Sequence, residues 1–413
     1  MTRPPDLVVV GSGVMGAWTA YWARRAGLET LLVDAWGPAN PRSTSSDETR
    51  ISRASHGHDA FYPVWSRRAR ELWLELGAEW GIELFRQAGG LWFAHREDGF
   101  EAASIATLGR LGIPIERVAL DEAQARWPGI GVDDLAFVAF EPEAGFLMAR
   151  RGVLAVADAH SRGGGRSLTL GVRPGRVDGG RLVDVVGADG TRIAAERFVF
   201  AAGPWLPALF PELLGRLVTV TRQDVLFVGP SAGDERFSSE SLPAWVDYDD
   251  AYYGVPAADG RAPKIAADGY GPPFEPTASQ RLVDPASVTA ARAFLARRFP
   301  GLASGPIVET RVCQYETSPD THFIIDCHPD LENAWIAGGG SGHAFKHGPV
   351  IGQYIVERLA GVPLGPGEER FSITRPRGAP AGLRSGSSAG YPLTGSGPSG
   401  TSIATRPPST TTG

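Results

Sequence analysis

The chain has 413 residues, of which 43% are hydrophobic and 21% charged, and its formal net charge is −6. That length exceeds one ordinary core and implies two domains. The acidic balance, with no basic patch, excludes a nucleic-acid partner. Only Cys313 and Cys327 are present, which excludes a disulfide framework and suits a reducing compartment. No apolar run reaches the roughly 18 residues that a membrane span needs. The opening MTRPPDLVVVGSG lacks a signal-peptide cleavage site, so the expected location is the cytoplasm.

Residues 6–11 (DLVVVG) read as a short buried strand, 14–26 as a helix and 29–34 (ETLLVD) as a second strand. This βαβ unit implies a parallel sheet with helices on its faces, an α/β fold. Between strand and helix lies Gly11-Ser12-Gly13-Val14-Met15-Gly16. The first glycine permits the turn, the second lets the backbone approach a pyrophosphate, and the third lets helix and strand pack closely. The amides around Val14 and Met15 then face the phosphates at the positive end of the helix dipole. Asp34 closes the second strand, where a carboxylate accepts from a ribose hydroxyl and disfavours a 2′-phosphate. The loop predicts a dinucleotide and leaves FAD and NAD both open.

Further along, 67–80 is rich in helix formers and predicts a helix. Two stretches, 86–143 and 217–312, alternate apolar and polar residues with many Gly and Pro, and read as mixed sheet and helix. Residues 168–200 read as short strands divided by turns such as VDGG and GADG. Residues 334–340 (AWIAGGG) read as a strand running into glycines, and 350–359 as a helix. From 377 to 413 the chain turns to Gly, Ser, Pro and Thr, a composition that predicts disorder. His56 and His58 form H-x-H with no partnering pattern. They read as polar loop residues, so no metal site is expected.

Four further segments separate the dinucleotides. They are STSSDETRISR from Ser43 to Arg53, Cys313-Gln314-Tyr315 followed by Pro319-Asp320, Phe323-Ile324-Ile325-Asp326, and GSGHAFK from Gly340 to Lys346. With the glycine loop, in this order over roughly residues 6–376, they resemble the monomeric sarcosine oxidase family. That family includes N-methyltryptophan and pipecolate oxidases and lies within the D-amino-acid-oxidase-like flavoproteins.

The resemblance implies a Rossmann-like FAD-binding domain from residues 1–85, 145–215 and 320–376. It also implies an α+β substrate domain from 86–144 and 216–319, whose mixed sheet covers the flavin. FAD would be held by the glycine loop (Gly11, Gly13, Val14, Met15, Gly16), by Asp34, and by Ser43, Ser46, Thr49 and Arg50. Gly340, Gly342, His343 and Lys346 would complete its site, and Cys313 is the position of the family's covalent flavin anchor. Arg53 and Lys346 match the pair that holds the substrate carboxylate. Lys264 matches a lysine that activates oxygen, and Arg50 an arginine beside the flavin ring.

Each position also has a plainer reading. Cys313 and Cys327 are then small buried residues, Arg53 and Lys346 surface cations, and Lys264 a solvated strand end. Arg50 is then an ion-pair partner of Asp47 or Glu48, and His343 a packing residue.

Two departures from the family pattern stand out. Asp268 takes the place of a histidine, and Glu48, with serine near position 46, interrupts the common glycine-aspartate-threonine order. An acid at 268 favours a more basic or differently shaped amine. The implied activity is FAD-dependent oxidation of secondary amines, N-methyl or cyclic amino acids, to an imine with O2 reduced to H2O2 by a monomer. A flavin dehydrogenase or biosynthetic tailoring enzyme of the same fold, an NAD-dependent dehydrogenase and a non-catalytic flavin-binding protein remain open.

Overall fold

Four consecutive aliphatic residues, Leu7–Val10, are buried on both faces of a six-stranded sheet. In this computed structural model, which describes residues 4–377, the strand order is Ile324–His328, Leu331–Gly338, Arg197–Phe200, Leu7–Val10, Thr30–Asp34, Arg166–Thr169. All neighbours are parallel except the edge strand Ile324–His328. Strand alternation divides the side chains between two cores. Leu7, Val9, Leu32, Val199 and Ala337 face the helices Val14–Arg25, Ala149–Arg162 and Gly348–Leu359. Val8, Val10, Val33, Phe198 and Phe200 face short strands and turns between 172 and 218.

A second, eight-stranded sheet stands apart in register and type. Its order is Ile307–Thr317, Thr219–Val228, Lys264–Ala267, Tyr252–Val255, Ala244–Asp247, Gly90–Ala94, Phe137–Glu141, Glu116–Val118. It is mixed, with Ala244–Asp247 and Gly90–Ala94 running parallel and its other pairs antiparallel. One face packs Leu91, Phe93, Leu226, Trp245 and Ile265 against the helix Pro285–Arg298. The alternate residues Trp92 and Val246, and Phe227 with Cys313, form small clusters on the opposite face. A three-stranded sheet, Thr49–Ser52, Gly145–Met148 and Phe85–Arg86, lies between the two.

The expected strands at 6–11, 29–34 and 334–340 form at Leu7–Val10, Thr30–Asp34 and Leu331–Gly338, and the helix expected at 14–26 forms at Val14–Arg25. The helix expected over 67–80 begins earlier, at Phe61. Pro63 sits in its first turn, where no amide donor is required. Asp59 Oδ1 accepts from the Phe61 amide at 2.8 Å. Gly81, at φ 66°, ends the helix in the left-handed conformation. The helix Ala149–Arg162 escaped the sequence reading because its exposed face is rich in arginine while small alanines do the packing. The segment expected to be disordered lies, beyond Arg377, outside the described residues. Among the described residues no helix is long and apolar enough to cross a membrane.

The glycine-loop helix is fixed from behind by the last long helix. Gly348 and Gly352 face Trp18, and a Cβ on Gly352 would stand 2.6 Å from the Trp18 carbonyl carbon. Trp22 Nε1 donates to the Pro349 carbonyl across the same seam at 2.9 Å. Overpacking such a contact costs about 1–3 kcal/mol. Gly352→Ala is therefore expected to lower the thermal unfolding midpoint by displacing the Val14–Arg25 helix. Calorimetry of the purified variant checks it.

Candidate active site

The Gly11–Gly16 turn opens onto a cavity of about 410 Å³. Gly11 has φ +104°, and a Cβ there would strike the Ala201 carbonyl oxygen at 2.4 Å. A Cβ on Gly16 would lie 1.9 Å from the Gly11 carbonyl oxygen, so Gly16 serves the helix–turn contact and not the cavity wall. Asp34 turns its carboxylate back onto the loop. Its Oδ2 accepts from the Ser12 amide at 2.8 Å, and its Oδ1 from the Trp36 and Gly37 amides at 2.8 and 2.9 Å. The Val14 amide donates to Ser45 Oγ at 3.0 Å.

Gly11, Gly13, Val14, Met15, Asp34, Ser43, Arg50, Gly340 and Gly342 line this cavity, all of them expected at a cofactor. Ser46, Thr49 and Cys313, also expected there, lie outside the lining. Ser46 Oγ donates to the Pro41 carbonyl, while Thr44 and Ser45 take the wall position. The Thr49 side chain is buried, and its carbonyl accepts from Lys264. Cys313 is buried with Sγ 3.6 Å from Arg50 Nη2 and 3.8 Å from the Thr44 carbonyl, just behind two wall residues. His343 and Lys346 line the neighbouring cavity instead.

That neighbour, about 70 Å³, shares Arg50, Tyr315, Ser341, Gly342 and Phe345 with the first cavity. Its walls add Arg53, Trp92, Tyr248, Tyr253, Asp268 and Lys346. The Arg53 guanidinium stands 4.9 Å above the Trp92 ring, and Lys346 Nζ donates to the His343 carbonyl at 2.9 Å. Lys346 is buried, not a surface cation as its plainer reading had it. Asp268 Oδ1 accepts from the Tyr315 hydroxyl at 3.1 Å. The two cations and one acid are thus set among aromatic rings, a lining able to grip a carboxylate and an apolar or basic side chain.

Lys264 is not a solvated strand end. It is 1% exposed, and Nζ donates to Asp47 Oδ2 at 2.8 Å and the Thr49 carbonyl at 2.7 Å. Arg50 reaches the same oxygen at 2.8 Å, so its expected ion pair forms while its side chain still walls both cavities. Burial pushes the Asp47 carboxyl up, but the charges of Lys264 and Arg50 outweigh it and hold it well below the usual range. Burial likewise lowers Lys264.

Four features were invisible in the sequence reading. Glu316 faces the first cavity, and its Oε2 is buried without a hydrogen-bond partner. Burial pushes its carboxyl up to about 8. A single acid inside the otherwise weakly charged QYETSP segment was the available signal. His56 lies in a loop as expected, but it is buried against His343 and His347. Asp47 proves to be the hub of the cation pair. Thr44, finally, carries a buried hydroxyl without a partner at the cavity wall, beside that of the expected Ser43.

These features fit a dinucleotide. A helix N-terminus and a glycine turn suit a pyrophosphate, and the unpartnered hydroxyls of Ser43 and Thr44 and the Glu316 oxygen offer polar partners along the wall.

Comparison with known proteins agrees. Residues 6–358 match the family model described as FAD dependent oxidoreductase. The chain is 30% identical over 384 residues to monomeric sarcosine oxidase of Bacillus sp. (strain B-0618), covering 90% of this chain and 96% of that one. It is 29% identical to N-methyl-L-tryptophan oxidase of Yersinia pestis (strain Pestoides F), over 84% and 93% of the two chains. Among solved structures, L-proline dehydrogenase from P. horikoshii superposes with a TM-score of 0.79 at 20% identity, over 90% and 98% of the chains. Fructosyl amine: oxygen oxidoreductase (Amadoriase I) from Aspergillus fumigatus gives 0.76 at 19%, over 90% of each. These two show the same fold.

The Glu316 carboxyl yields a pH dependence. Its folded value, about 8, lies above the ordinary 4.5, so between those pH values the folded chain binds more protons than the unfolded one. Stability of the flavin-free protein then falls as pH rises from about 5 to 8. Glu316→Gln is expected to flatten that slope, which thermal denaturation across this range measures.

Proposed function

The chain belongs to the FAD-dependent oxidoreductase family, in the branch of the monomeric sarcosine oxidases, and from that membership we propose that it oxidises secondary amines bearing a carboxylate to imines, with O2 as acceptor and H2O2 as co-product. The observation that carries this reading is the second cavity. Its Arg53 and Lys346 cations stand among aromatic rings, directly against the cavity of the glycine loop.

In this reading, residues 1–85, 145–215 and 320–376 form the cofactor domain, and 86–144 with 216–319 the substrate domain. Glycine-loop amides hold the pyrophosphate, Asp34 the ribose, and the Gly340–Gly342 turn lines the place of the ring system. Bound FAD supplies the chemistry of accepting a hydride equivalent from the amine carbon and passing electrons to oxygen. The chain's own groups bind, orient and shield. Arg53 and Lys346 anchor the carboxylate and so fix the amine carbon toward the first cavity. Trp92, Tyr253 and Phe345 exclude water around it. An amine bound without its proton needs no protein base.

Asp268 adds a negative charge to a cavity otherwise cationic, and it favours substrates whose side chain is positively charged over sarcosine itself. Lys264, with Asp47 and Arg50, sets a net positive field beside the shared wall, suited to stabilising charge developing on oxygen. Cys313 anchors the flavin covalently. Its Sγ stands 3.6 Å from Arg50 Nη2, just behind the wall of the first cavity. Like the relatives named monomeric, the chain acts as a monomer, here in the cytoplasm.

The test is a visible spectrum followed by anaerobic addition of N-methyl, cyclic and basic amino acids. Bleaching by a member of the set, with oxygen consumed on re-aeration, supports the reading; a flavin that none of them reduces overturns it. Arg53→Ala should raise KM about 10–100-fold, the loss of a charge-assisted hydrogen-bond pair, with flavin content unchanged. An unaltered KM removes Arg53 from carboxylate binding.

Covalent attachment is separately measurable. After acid precipitation the yellow colour is expected to stay with the protein, and to pass into the supernatant for Cys313→Ala.

A further inference from the structure

Three imidazoles, His56, His343 and His347, meet inside the fold with one ring nitrogen each, and these nitrogens lie within 4.8 Å of one another. All three residues are buried, at 2%, 7% and 0% exposure. They come from distant parts of the chain, a loop before the Phe61–Trp80 helix and the turn that opens the Gly348–Leu359 helix. Their ring centroids are 5.9, 5.9 and 6.2 Å apart, and the rings are inclined at 38° to 88° to one another, not stacked.

Hydrogen bonds to backbone carbonyls decide where the lone pairs go. His56 Nδ1 donates to the Ala54 carbonyl at 2.8 Å, so its Nε2 carries a lone pair. That Nε2 is buried and has no hydrogen-bond partner. His343 Nε2 donates to the Thr321 carbonyl at 3.0 Å, which makes its Nδ1 an acceptor. His347 is fully buried and neither of its ring nitrogens makes a hydrogen bond, although it lies close to the Trp65 carbonyl. Outer carbonyls that fix the tautomer of a buried imidazole are the usual surroundings of metal-binding histidines.

A metal ion at the centre gives the buried His56 and His347 lone pairs the partner they lack, with His343 as the third ligand. Around zinc, imidazole nitrogens at about 2.1 Å stand roughly 3.4 Å apart, a closure that small ring rotations supply. The donor set is neutral and all nitrogen, which suits zinc and its first-row neighbours and disfavours Mg2+ or Ca2+. The Arg53 and Lys346 charges oppose a cation here, so the affinity rests on the coordinate bonds.

We propose that His56, His343 and His347 form a three-histidine site for a divalent transition-metal ion of the zinc class, beside the substrate cavity that His343 also lines. The ion ties the His343–His347 turn to the loop that follows Arg53. It thereby positions the two carboxylate-binding residues of the proposed function, Lys346 directly before His347 and Arg53 three residues before His56.

The flavin-loaded protein, stripped with a chelator and dialysed, is titrated with Zn2+ by calorimetry and with Co2+ by visible spectroscopy. One ion per chain is expected, with tetrahedral Co2+ bands at longer wavelength than the flavin. His347→Asn and His56→Asn should each weaken binding at least about 100-fold, beyond the 10–100-fold that loss of an outer partner costs. Flavin content and melting temperature of both variants verify that they fold. A second group, His95 with Asp247 and Asp250, supplies the control His95→Asn. No Co2+ bands in the unaltered protein overturns the proposal. So does metal binding that survives in whichever of His56→Asn and His347→Asn retains its flavin, or that is lost in His95→Asn instead.

Discussion

The Asp47 carboxylate is the charge on which the centre of this molecule depends. It is buried, and it accepts from Lys264 on one sheet and from Arg50 on another, both at 2.8 Å. Arg311, from the strand that carries Cys313, lies 3.5 Å from its other oxygen. One negative charge thus holds two cations from two strands and borders a third, Arg311, which Glu48 and Glu309 hold more closely. Such a group is costly to bury alone and costlier to remove, because its loss strands cations in a low-dielectric interior. The acid is therefore fixed by its partners, and the partners by it. The wall between the two cavities is built from this cluster.

The arrangement of sheets follows from the same point. The six-stranded sheet ends its first strand in the glycine turn, and the eight-stranded sheet presents Trp92 and Val246 on the face opposite its helix. Neither surface makes a site alone. The small sheet bearing Arg50 joins them, so that Arg50 borders both cavities while its charge is balanced behind the wall. Excess positive charge is left facing inward. That field suits phosphates and carboxylates, and any negative charge arriving between them.

How much of this was legible depended on the range of the interaction. The glycine turn, its strand, its helix and Asp34 are neighbours in sequence, and local sterics dictate them, so they read directly. The motif segments around Arg50, Cys313 and Lys346 marked the second half of the site. What the chain could not declare were pairings between distant residues: Lys264 with Asp47 over 217 positions, or His56 with His347. Lys264 reads as exposed because isolated lysines usually are, and only the register of Lys264–Ala267 against Thr219–Val228 buries it. Glu316 was hidden for a different reason. Its neighbour Tyr315 follows the alternation of the strand, and nothing local tells that the next residue faces a cavity and not solvent.

One short turn concentrates these demands. Between Gly339 and Gly348 the backbone takes left-handed conformations at Gly339, Ser341 and Gly342, and serine adopts such a φ at some energetic cost. The cost is offset by a dense set of hydrogen bonds: the Ser341 amide to the Glu316 carbonyl at 2.8 Å, and Ser341 Oγ to the Gly339 carbonyl at 3.0 Å. The Ser318 amide adds a third, to Ser341 Oγ. A backbone held this way lines the first cavity with Gly340, Ser341 and Gly342 and, a few residues later, brings Lys346 to the second. It also turns two histidines inward toward the core. Because the same rigid turn serves both cavities, a displacement at either is transmitted to the other through a segment that has little freedom to absorb it.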